Sequence, residues 1–437
     1  MKKHNQWKTL AVIAGVAMSA APQVTTATEG YFQHGWGARH SALAGAGSAN
    51  VTDASGQAHN PAGLVNVDGS EINFAMTVFN PNRSYTGSAY QSGTPDGGFG
   101  FSSFGLTESN SNMFLVPNFA FSSKIDDTSA WGVTLYGNGG MNTDYPAFDR
   151  PLPDCPPVGG NGVYCGGSLG VDLVQAFLAV TYAQKMGDFS VGISPIFAFQ
   201  AFEARGIGAF AAGGFSSDPA NFTNNNHDTS TGFGAKIGMG YKVNDELDLA
   251  LTYQTKIDMS EFDSYAGLFA DGGDFDIPSN LTIGASFDVS DNVTIMLDWR
   301  QIYYEDAGSV SNPGQVPLLF GMDGGPGFGW DNVTAVKVGV EWKVSDALTW
   351  RFGYAENDNP IGPEDVNLNI LAPGVVTTHI TAGFELALDS GDAFEFSFAY
   401  VPEESVSGPG MMNPNHKVTI AMDQMIVGAS WTFNLDD

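Results

Sequence analysis

Apolar and polar residues alternate along most of the chain, in segments of roughly ten residues. In 293–299 the odd positions hold Val, Ile, Leu and Trp while the even positions hold Thr, Met and Asp, and 247–253 shows the same pattern. Alternation with a period of two predicts β-strands that each have one apolar face. The pattern recurs at 281–289, 336–344, 348–354, 380–388, 394–400 and 425–433.

The apolar faces of these segments frequently end in an aromatic residue, as at Trp299, Trp342, Tyr354 and Trp431. Aromatic rings at strand ends suit the headgroup layer of a membrane, and the Thr, Ser, Gly and charged residues of the opposite faces suit a polar lumen. We therefore expect the apolar faces to point outward into lipid. The alternative is a secreted all-β protein in which the same aromatic residues form an ordinary core.

The connections between the strands alternate between short and long. Short polar turns are expected near 124–129, 185–188, 243–246, 289–292, 344–347 and 389–392, and long loops at about 80–112, 141–170, 204–231, 258–277, 304–331, 356–375 and 402–421. Short periplasmic turns that alternate with long extracellular loops are typical of outer-membrane barrels. Six turns and seven loops join fourteen strands, so residues 69–437 are expected to form an all-β, antiparallel transmembrane barrel of about fourteen strands.

Residues 1–27 have the pattern of a secretory signal peptide, with lysines followed by an apolar run and then small residues. The apolar run, Leu10 to Ala21, is shorter than the roughly 20 residues that a membrane-spanning helix needs. The net charge of −30 argues against nucleic acid as a partner. We expect a bacterial outer-membrane protein whose partners are a hydrophobic ligand, outer-membrane lipid, lipopolysaccharide and the barrel-insertion machinery.

Residues 28–68 separate the leader from the first alternating segment and are rich in Ala, Gly and Ser. A barrel of fourteen strands is wide enough to leave a lumen, which something must fill if the barrel is not an open pore. We expect 28–68 to fold into short helices and turns as a hatch that plugs this lumen. Within it Pro61 disfavours helix at Asn60, so Asn60-Pro61-Ala62 is predicted to form a turn.

The hatch segment resembles a known family. The stretch GARHSALAGAGSANVTDASGQAHNPAGL at 37–64, with its Asn60-Pro61-Ala62 motif, is similar to the amino-terminal hatch of the FadL/TodX transporters for long-chain fatty acids and other hydrophobic compounds. NILAPGV at 369–375 is a second match, and further similar stretches lie at 116–140, 170–206, 277–299 and 352–388. The resemblance implies a passive transporter that captures an apolar ligand between its loops, holds it in the barrel and releases it sideways where the third strand is kinked inward.

The third strand is expected to begin at Ser129 and ends in Gly137, Gly139 and Gly140. Glycine within a strand weakens pairing and favours bulges. We therefore expect these three glycines to form the inward kink that the resemblance implies. The alternative is that they mark the entry into the following loop.

Large apolar residues in two of the long loops are candidates for ligand capture, because an apolar compound gains about 25 cal/mol per Å² on leaving water. The alternative is that these residues only pack the loops on each other. The candidates are Ile207, Phe210, Phe215, Phe222, Phe262, Tyr265, Leu268 and Phe269.

By strand phase four cations, Lys236, Arg300, Lys337 and Arg351, should face the lumen. They could neutralise an anionic head group, or pair with lumen acids such as Asp298 or Glu341. The acidic exterior should repel a carboxylate over roughly 8 Å in physiological salt. Fatty acid and neutral hydrocarbon therefore both remain open as ligands.

Two cysteines, Cys155 and Cys165, lie in one loop-like stretch, and in an exported protein they are expected to form a disulfide rather than a metal pair. The chain has no Gly-x-Ser-x-Gly or His-Glu-x-x-His motif, so no enzyme activity, cofactor or metal is expected. Two other functions stay open: a general porin for small polar solutes, and a surface adhesin or phage receptor that acts through its loops.

Overall fold

A computed structural model describes residues 29–88, 102–151, 155, 160–411 and 413–436. Fourteen antiparallel strands pair in chain order, and β1 pairs with both β2 and β14, so the sheet closes into a barrel. The fourteen-strand prediction is confirmed. The strands are β1 Ser70–Gly87, β2 Phe114–Asp126, β3 Ser129–Asn142, β4 Gly170–Met186, β5 Phe189–Arg205, β6 Asp228–Lys242, β7 Leu247–Gln254, β8 Asn280–Ser290, β9 Val293–Ile302, β10 Val333–Ser345, β11 Leu348–Asn357, β12 Thr378–Ala387, β13 Ala393–Gly410 and β14 Asn413–Asn434.

All six short turns lie where the short polar segments predicted them, and all are at one end of the barrel. The prediction of a long loop at 402–421 was wrong. Here β13 continues to Gly410 and β14 begins at Asn413, so the two strands form a long hairpin. Residues 402–410 include Pro, Glu and Gly, which are uncommon within strands. There, strand pairing with a long partner decides the conformation, for example through Ser407 Oγ and Thr419 Oγ1, 2.7 Å apart.

The outer wall of the barrel is apolar. Val336, Leu297 and Ile283 each expose about half of their side chains, at 51, 50 and 50%. Large apolar residues exposed on the outside of a closed barrel are what a lipid bilayer covers. The aromatic residues expected at the membrane interface, Trp299, Trp342, Tyr354 and Trp431, are exposed on this outer wall, whereas Tyr136 and Phe177 face inward and are buried. Within the described residues, no helix combines the length and apolar character that crossing a membrane requires.

Residues 29–67, which we call the hatch, fold inside the barrel. They form helix α1 (Gly37–Ala42) and two 3₁₀ helices, Ala54–Ala58 and Pro61–Asn66. Hydrogen bonds reach the hatch from separate strands of the wall: Thr381 Oγ1 on β12 donates to Ala42 O at 2.7 Å, and Asp298 on β9 accepts from Ser48 N at 3.0 Å. Almost all hatch side chains are buried.

A pair of glycines in the wall holds the Asn60-Pro61-Ala62 turn. Gly192 on β5 lies directly opposite Gly238 on β6. A Cβ at Gly238 would overlap Asn60 Oδ1 and lie 2.9 Å from Pro61 Cδ, and a Cβ at Gly192 would lie 2.5 Å from Ala62 N. The two glycines therefore form a notch in the wall, the Gly192–Gly238 notch, into which the turn fits.

Asn60 stabilises the turn from within. Its Oδ1 accepts a hydrogen bond from Ala62 N at 3.0 Å, as an N-cap of the helix Pro61–Asn66. Its Nδ2 donates to Ser48 O at 2.8 Å. The Asn side chain thus ties the turn to the preceding part of the hatch, and Pro61 supplies the fixed φ that suits the first helical position.

The long loops fold together over the other end of the barrel. They carry short strands at Gly105–Glu108, Asp149–Arg150, Gly160–Asn161 and Asp258–Met259, and short helices at Gly208–Ala212, Pro219–Asn221, Asp263–Tyr265, Ala270–Gly273, Tyr304–Asp306, Gly308–Ser311, Pro363–Asp365 and Leu368–Ile370. A disulfide joins Cys155 and Cys165, whose Cα atoms are 5.8 Å apart.

Candidate transport site

The barrel wall opens between β2 and β3. The two strands pair from Asp126 and Ser129 at the turn as far as Phe119 and Leu135, and their pairing ends there. Beyond that point β2 stays paired with β1 up to Phe114, and β3 stays paired with β4 up to Asn142. The separation between β2 and β3 beyond Phe119 and Leu135, which we call the side gap, leaves two strand edges facing each other.

The hatch covers the β3 edge of the side gap from inside. Gln33 N donates to Asn138 O at 3.1 Å, Gly140 N donates to Tyr31 O at 3.1 Å, and Trp36 Nε1 donates to Gly137 O at 2.8 Å. These hatch groups satisfy backbone groups that β2 would satisfy in an unbroken sheet. The hatch segment 31–36 therefore takes the place of β2 along this stretch.

The three glycines that were expected to form the kink lie in this stretch. The register of β3 against β4 shifts between Gly137 and Gly139, which makes a bulge. Gly139 pairs with Phe32 of the hatch in a β-bridge, and a Cβ at Gly139 would overlap Tyr31 O. Glycine at this position lets the hatch backbone approach the strand closely.

Aromatic side chains fill the space behind the side gap. Trp36 contacts Tyr136 with ring centroids 5.1 Å apart, and Tyr136 contacts Phe177 at 5.6 Å. Toward the loops a second group surrounds Tyr31, with ring centroids 5.2 Å from Tyr304 and 5.8 Å from Trp330. The two groups belong to one buried apolar cluster that runs from the hatch into the loops. An apolar ligand could contact aromatic faces along this whole path.

A polar cavity of about 20 Å³ lies next to the aromatic cluster. This volume holds about one water molecule. The cavity is lined by three of the predicted lumen cations together with polar hatch and wall residues: His34, Trp36, Gly45, Ser48, His59, Lys236, Thr252, Asn280, Thr282, Asp298, Arg300 and Lys337.

Two of these cations are held by the first described residue of the hatch. Glu29 Oε2 is 3.0 Å from Arg300 Nη1, and Glu29 Oε1 is 2.5 Å from Lys337 Nζ. Lys236 Nζ instead donates to Ala58 O at 2.5 Å and lies 4.7 Å from the centre of the Trp36 ring. The wall around the cavity is therefore rich in cations, and we call this site the cation chamber.

The fourth predicted lumen cation, Arg351, lies apart from the cation chamber. Its Nε contacts Glu341 Oε2 at 2.7 Å, its Nη1 contacts Glu395 Oε1 at 2.8 Å, and its Nη2 contacts Glu385. Arg39 of the hatch joins the same network through Glu341 at 3.3 Å. The structure thus pairs Arg351 with lumen acids. Asp298, which was also expected as a partner of lumen cations, accepts instead from the backbone of the hatch.

Buried histidines line the contact between hatch and wall. The rings of His40 and His59 stack with centroids 3.9 Å apart, and His34 lies 5.4 Å from His379. Burial, reinforced by Lys337, lowers the pKa of His34 to about 4. Burial, reinforced by Arg39, lowers the pKa of His40 to about 3. Both hatch histidines are therefore neutral near pH 7.

Most of the predicted capture residues are buried. The loops fold over one another, so that Phe210 and Phe222 both pack against Phe320, with ring centroids 5.8 and 5.6 Å apart, and Tyr265 packs against Phe202 at 4.9 Å. In this conformation, packing between loops, the alternative that the sequence left open, accounts for six of the eight. The buried residues are Ile207, Phe210, Phe222, Phe262, Tyr265 and Phe269, whereas Leu268 is half-buried and Phe215 is exposed.

Phe215, a predicted capture residue, belongs to an exposed apolar surface on the loops whose other three residues were missed. A β-bridge between Ser216 and Phe320 places Phe215 beside the loop segment 317–322. The exposed fraction of Phe215 is 40%. The exposed neighbours on that segment complete what we call the outer patch: Phe215, Leu318, Leu319 and Met322. The stretch PLLFGM at 317–322 was a signal in the sequence, but its apolar residues lie in a long loop with no alternating pattern.

Arg83 was missed because the first loop was expected to begin at residue 80. In the structure β1 continues to Gly87, and Arg83 points into the barrel with Phe79 and Tyr85. Its guanidinium lies 5.5 Å from the centre of the Phe114 ring, at the β2 edge of the side gap. Strand phase would have placed Arg83 in the lumen had the strand been extended.

Comparison with known proteins agrees with this geometry. Residues 10–299 match the family described as outer membrane protein transport protein (OMPP1/FadL/TodX). The chain belongs to this family. The FadL/TodX hatch motif at 60–62 and the outer-membrane location that the sequence predicted are consistent with this membership.

Relatives within the FadL/TodX family are distant in sequence. The chain is 23% identical over 336 residues to a long-chain fatty acid transport protein of Escherichia coli O157:H7, covering 67% of this chain and 71% of that protein. It is similar in fold to the Pseudomonas putida toluene transporter TodX, with a TM-score of 0.66, 16% identity and coverage of 93 and 100%. A Pseudomonas aeruginosa FadL homologue gives a TM-score of 0.67, with the same identity and coverage.

Proposed function

We propose that this protein carries hydrophobic compounds into the outer membrane by passive transport and releases them sideways. The side gap between β2 and β3 is the observation that supports this route most strongly. A barrel in lipid normally pairs every strand edge, because an unpaired edge leaves backbone groups without partners. Here the edge is paired by a hatch segment, which can leave without unfolding the wall.

Capture would begin at the outer patch. Phe215, Leu318, Leu319 and Met322 are exposed on the extracellular loops, where an apolar surface gains by binding an apolar compound. The buried aromatic residues of the loops lie directly beneath, since Phe215 and Phe320 are joined by a backbone hydrogen bond of 2.9 Å. We propose that opening of these loops exposes the buried capture candidates, Phe210 and Phe222 among them, to the ligand.

The aromatic cluster then leads from the loops to the side gap. Tyr31 and Phe32 of the hatch stack at 5.2 Å and stand between the loop aromatics and the glycines of β3. An apolar compound that follows this path stays out of water until it reaches lipid. The relatives support the ligand class: one is named for long-chain fatty acids and another for toluene.

Bulky side chains in the side gap test lateral release. Replacing Gly137, Gly139 and Gly140 together by leucine fills the opening, and uptake of a radiolabelled apolar compound by cells should be lost. Gly240→Leu is the control for added bulk elsewhere in the wall, because it places one leucine on the inner face of β6, where the nearest neighbour is the side-chain oxygen of Ser190. Heat-modifiable migration on gels verifies that each barrel folds. Normal uptake in the folded triple variant would rule out the side gap as the exit.

A general porin would need an open lumen. The cavity in the described part of the lumen holds about one water molecule, and the hatch occupies the centre of the barrel. Planar-bilayer recordings should therefore show only rare, brief conductance. A large steady conductance of the wild-type protein would favour the porin over the transporter.

A further inference from the structure

Glu29 places a carboxylate on two wall cations deep inside the barrel. Its side chain is 1% exposed, and its two oxygens contact Arg300 Nη1 and Lys337 Nζ at 3.0 and 2.5 Å. Tyr304 fixes the adjoining backbone, because its hydroxyl donates to Glu29 O at 2.5 Å and accepts from Tyr31 N at 3.1 Å. The carboxylate of Glu29 is therefore held in one position by both its side chain and its main chain.

The residues that follow Glu29 are apolar and occupy an aromatic pocket. Tyr31 lies 5.2 Å from Tyr304 and 6.2 Å from Phe275, measured between ring centroids, and Phe32 lies 5.9 Å from Tyr304. The segment 29–32 thus presents one carboxylate next to two apolar side chains. This is the same chemical pattern as an apolar compound that carries a single carboxylate.

The cation chamber has more positive than negative groups. Arg300, Lys337 and Lys236 face Glu29 and Asp298, and Asp298 is engaged by the backbone of Ser48. Lys236 is 3% exposed, and no carboxylate of the described residues lies within 4.0 Å of its ammonium group. A buried charge without a partner is expensive, so the chamber would become strongly unfavourable if Glu29 left and no anion replaced it.

We propose that Glu29 is an internal competitor for an anionic head group, and that the cation chamber binds the carboxylate of an apolar ligand in exchange for the carboxylate of Glu29. The exchange keeps one carboxylate on Arg300 and Lys337 throughout, so neither of these two cations is left unpaired. A neutral ligand that displaced Glu29 would leave both cations unpaired. The chamber therefore favours carboxylates over neutral compounds. This inference rests on the proposed function, because it assumes that apolar compounds enter the barrel.

Glu29→Gln tests the competition, because it keeps the shape of the side chain and removes its charge. The probes are a fluorescent sixteen-carbon carboxylic acid and the matching sixteen-carbon alcohol, each titrated into the purified full-length protein in detergent. Affinity for the acid should rise at least tenfold in Glu29→Gln, whereas affinity for the alcohol should change less than threefold. Adding Lys337→Met to Glu29→Gln should abolish the gain for the acid.

Glu71→Gln is the matched control. Glu71 is a carboxylate of the wall, on β1, and it contacts the hatch by accepting a hydrogen bond from Ala54 N. It lies outside the cation chamber. The Glu71→Gln variant should have the same ratio of acid affinity to alcohol affinity as the wild type. An equal gain for acid and alcohol in Glu29→Gln would show a loosened hatch and overturn the inference, as would an unchanged ratio. Failure of every variant to bind either probe would overturn the proposed function itself.

Discussion

Gly238→Ala should loosen the hatch without unfolding the barrel. The new Cβ would overlap Asn60 Oδ1 and lie 2.9 Å from Pro61 Cδ, whereas ordinary contacts of a Cβ begin at about 3.4 Å, so the turn must move out of the Gly192–Gly238 notch. Overpacking of this kind costs about 1–3 kcal/mol. The shift can also break two hydrogen bonds of Asn60, one that its Nδ2 donates to Ser48 O and one that its Oδ1 accepts from Ala62 N. Each lost bond would add about 1 kcal/mol to the cost. We take about 3 kcal/mol as the expected loss, or roughly a hundredfold change in the docking equilibrium.

Single-channel recording in planar bilayers measures this equilibrium, because an undocked hatch lets ions through the lumen. The fraction of time spent conducting should rise by roughly a hundredfold in Gly238→Ala. Gly240→Ala, two residues along the same strand, is the control: its Cβ would meet only the flexible side chain of Ser190, at 2.5 Å from Oγ. If the two variants conduct alike, the glycine notch does not hold the hatch and the reasoning is wrong.

Three further predictions concern the hatch and the loops. Burial lowers the pKa values of His34 and His40 to about 4 and 3, so the stability that these neutral histidines give to hatch docking is complete above the ordinary histidine pKa of about 6.5 and is lost as the pH falls toward 4. Conductance should therefore rise on acidification. A fall in conductance would contradict this. Replacing both Cys155 and Cys165 by serine removes the cross-link of a short loop, and this cross-link is worth about 3 kcal/mol in the chain-entropy picture. Protease should therefore cut that loop faster, while the barrel still migrates on gels as a folded protein. Replacing all four outer-patch residues by serine should raise the ligand concentration needed for half-maximal uptake several-fold and leave the maximal rate unchanged; a changed maximal rate alone would place these residues later on the route.

The strand pattern predicted the wall because one physical rule, an apolar outer face, acts on each strand separately. Val336 and Leu297 could be placed outside from their own neighbours in the sequence. The end of β1 could not be placed in this way, because Asn80 and Asn82 interrupt the apolar alternation. At these residues, pairing with β14 keeps the chain in the strand conformation. Arg83 was lost with that boundary.

Contacts between distant parts of the chain explain the other differences. The burial of Phe210 and Phe222 depends on Phe320, about a hundred residues away, and no local pattern indicates that the loops meet. The Glu29 ion pairs depend likewise on the closure of the barrel, which brings residue 29 next to Arg300 and Lys337. By contrast, the turn at Asn60 was predicted from Pro61 alone, because that constraint is local.

The route through the side gap is tested most directly by photo-crosslinking with an apolar diazirine probe during uptake, followed by mass spectrometry of the labelled peptides. The account predicts that adducts concentrate on residues that flank the side gap, namely Phe114 and Val116 on β2 and Tyr136 on β3. Adducts along the Arg351 network at the short-turn end of the lumen, with the side-gap residues unlabelled, would contradict it.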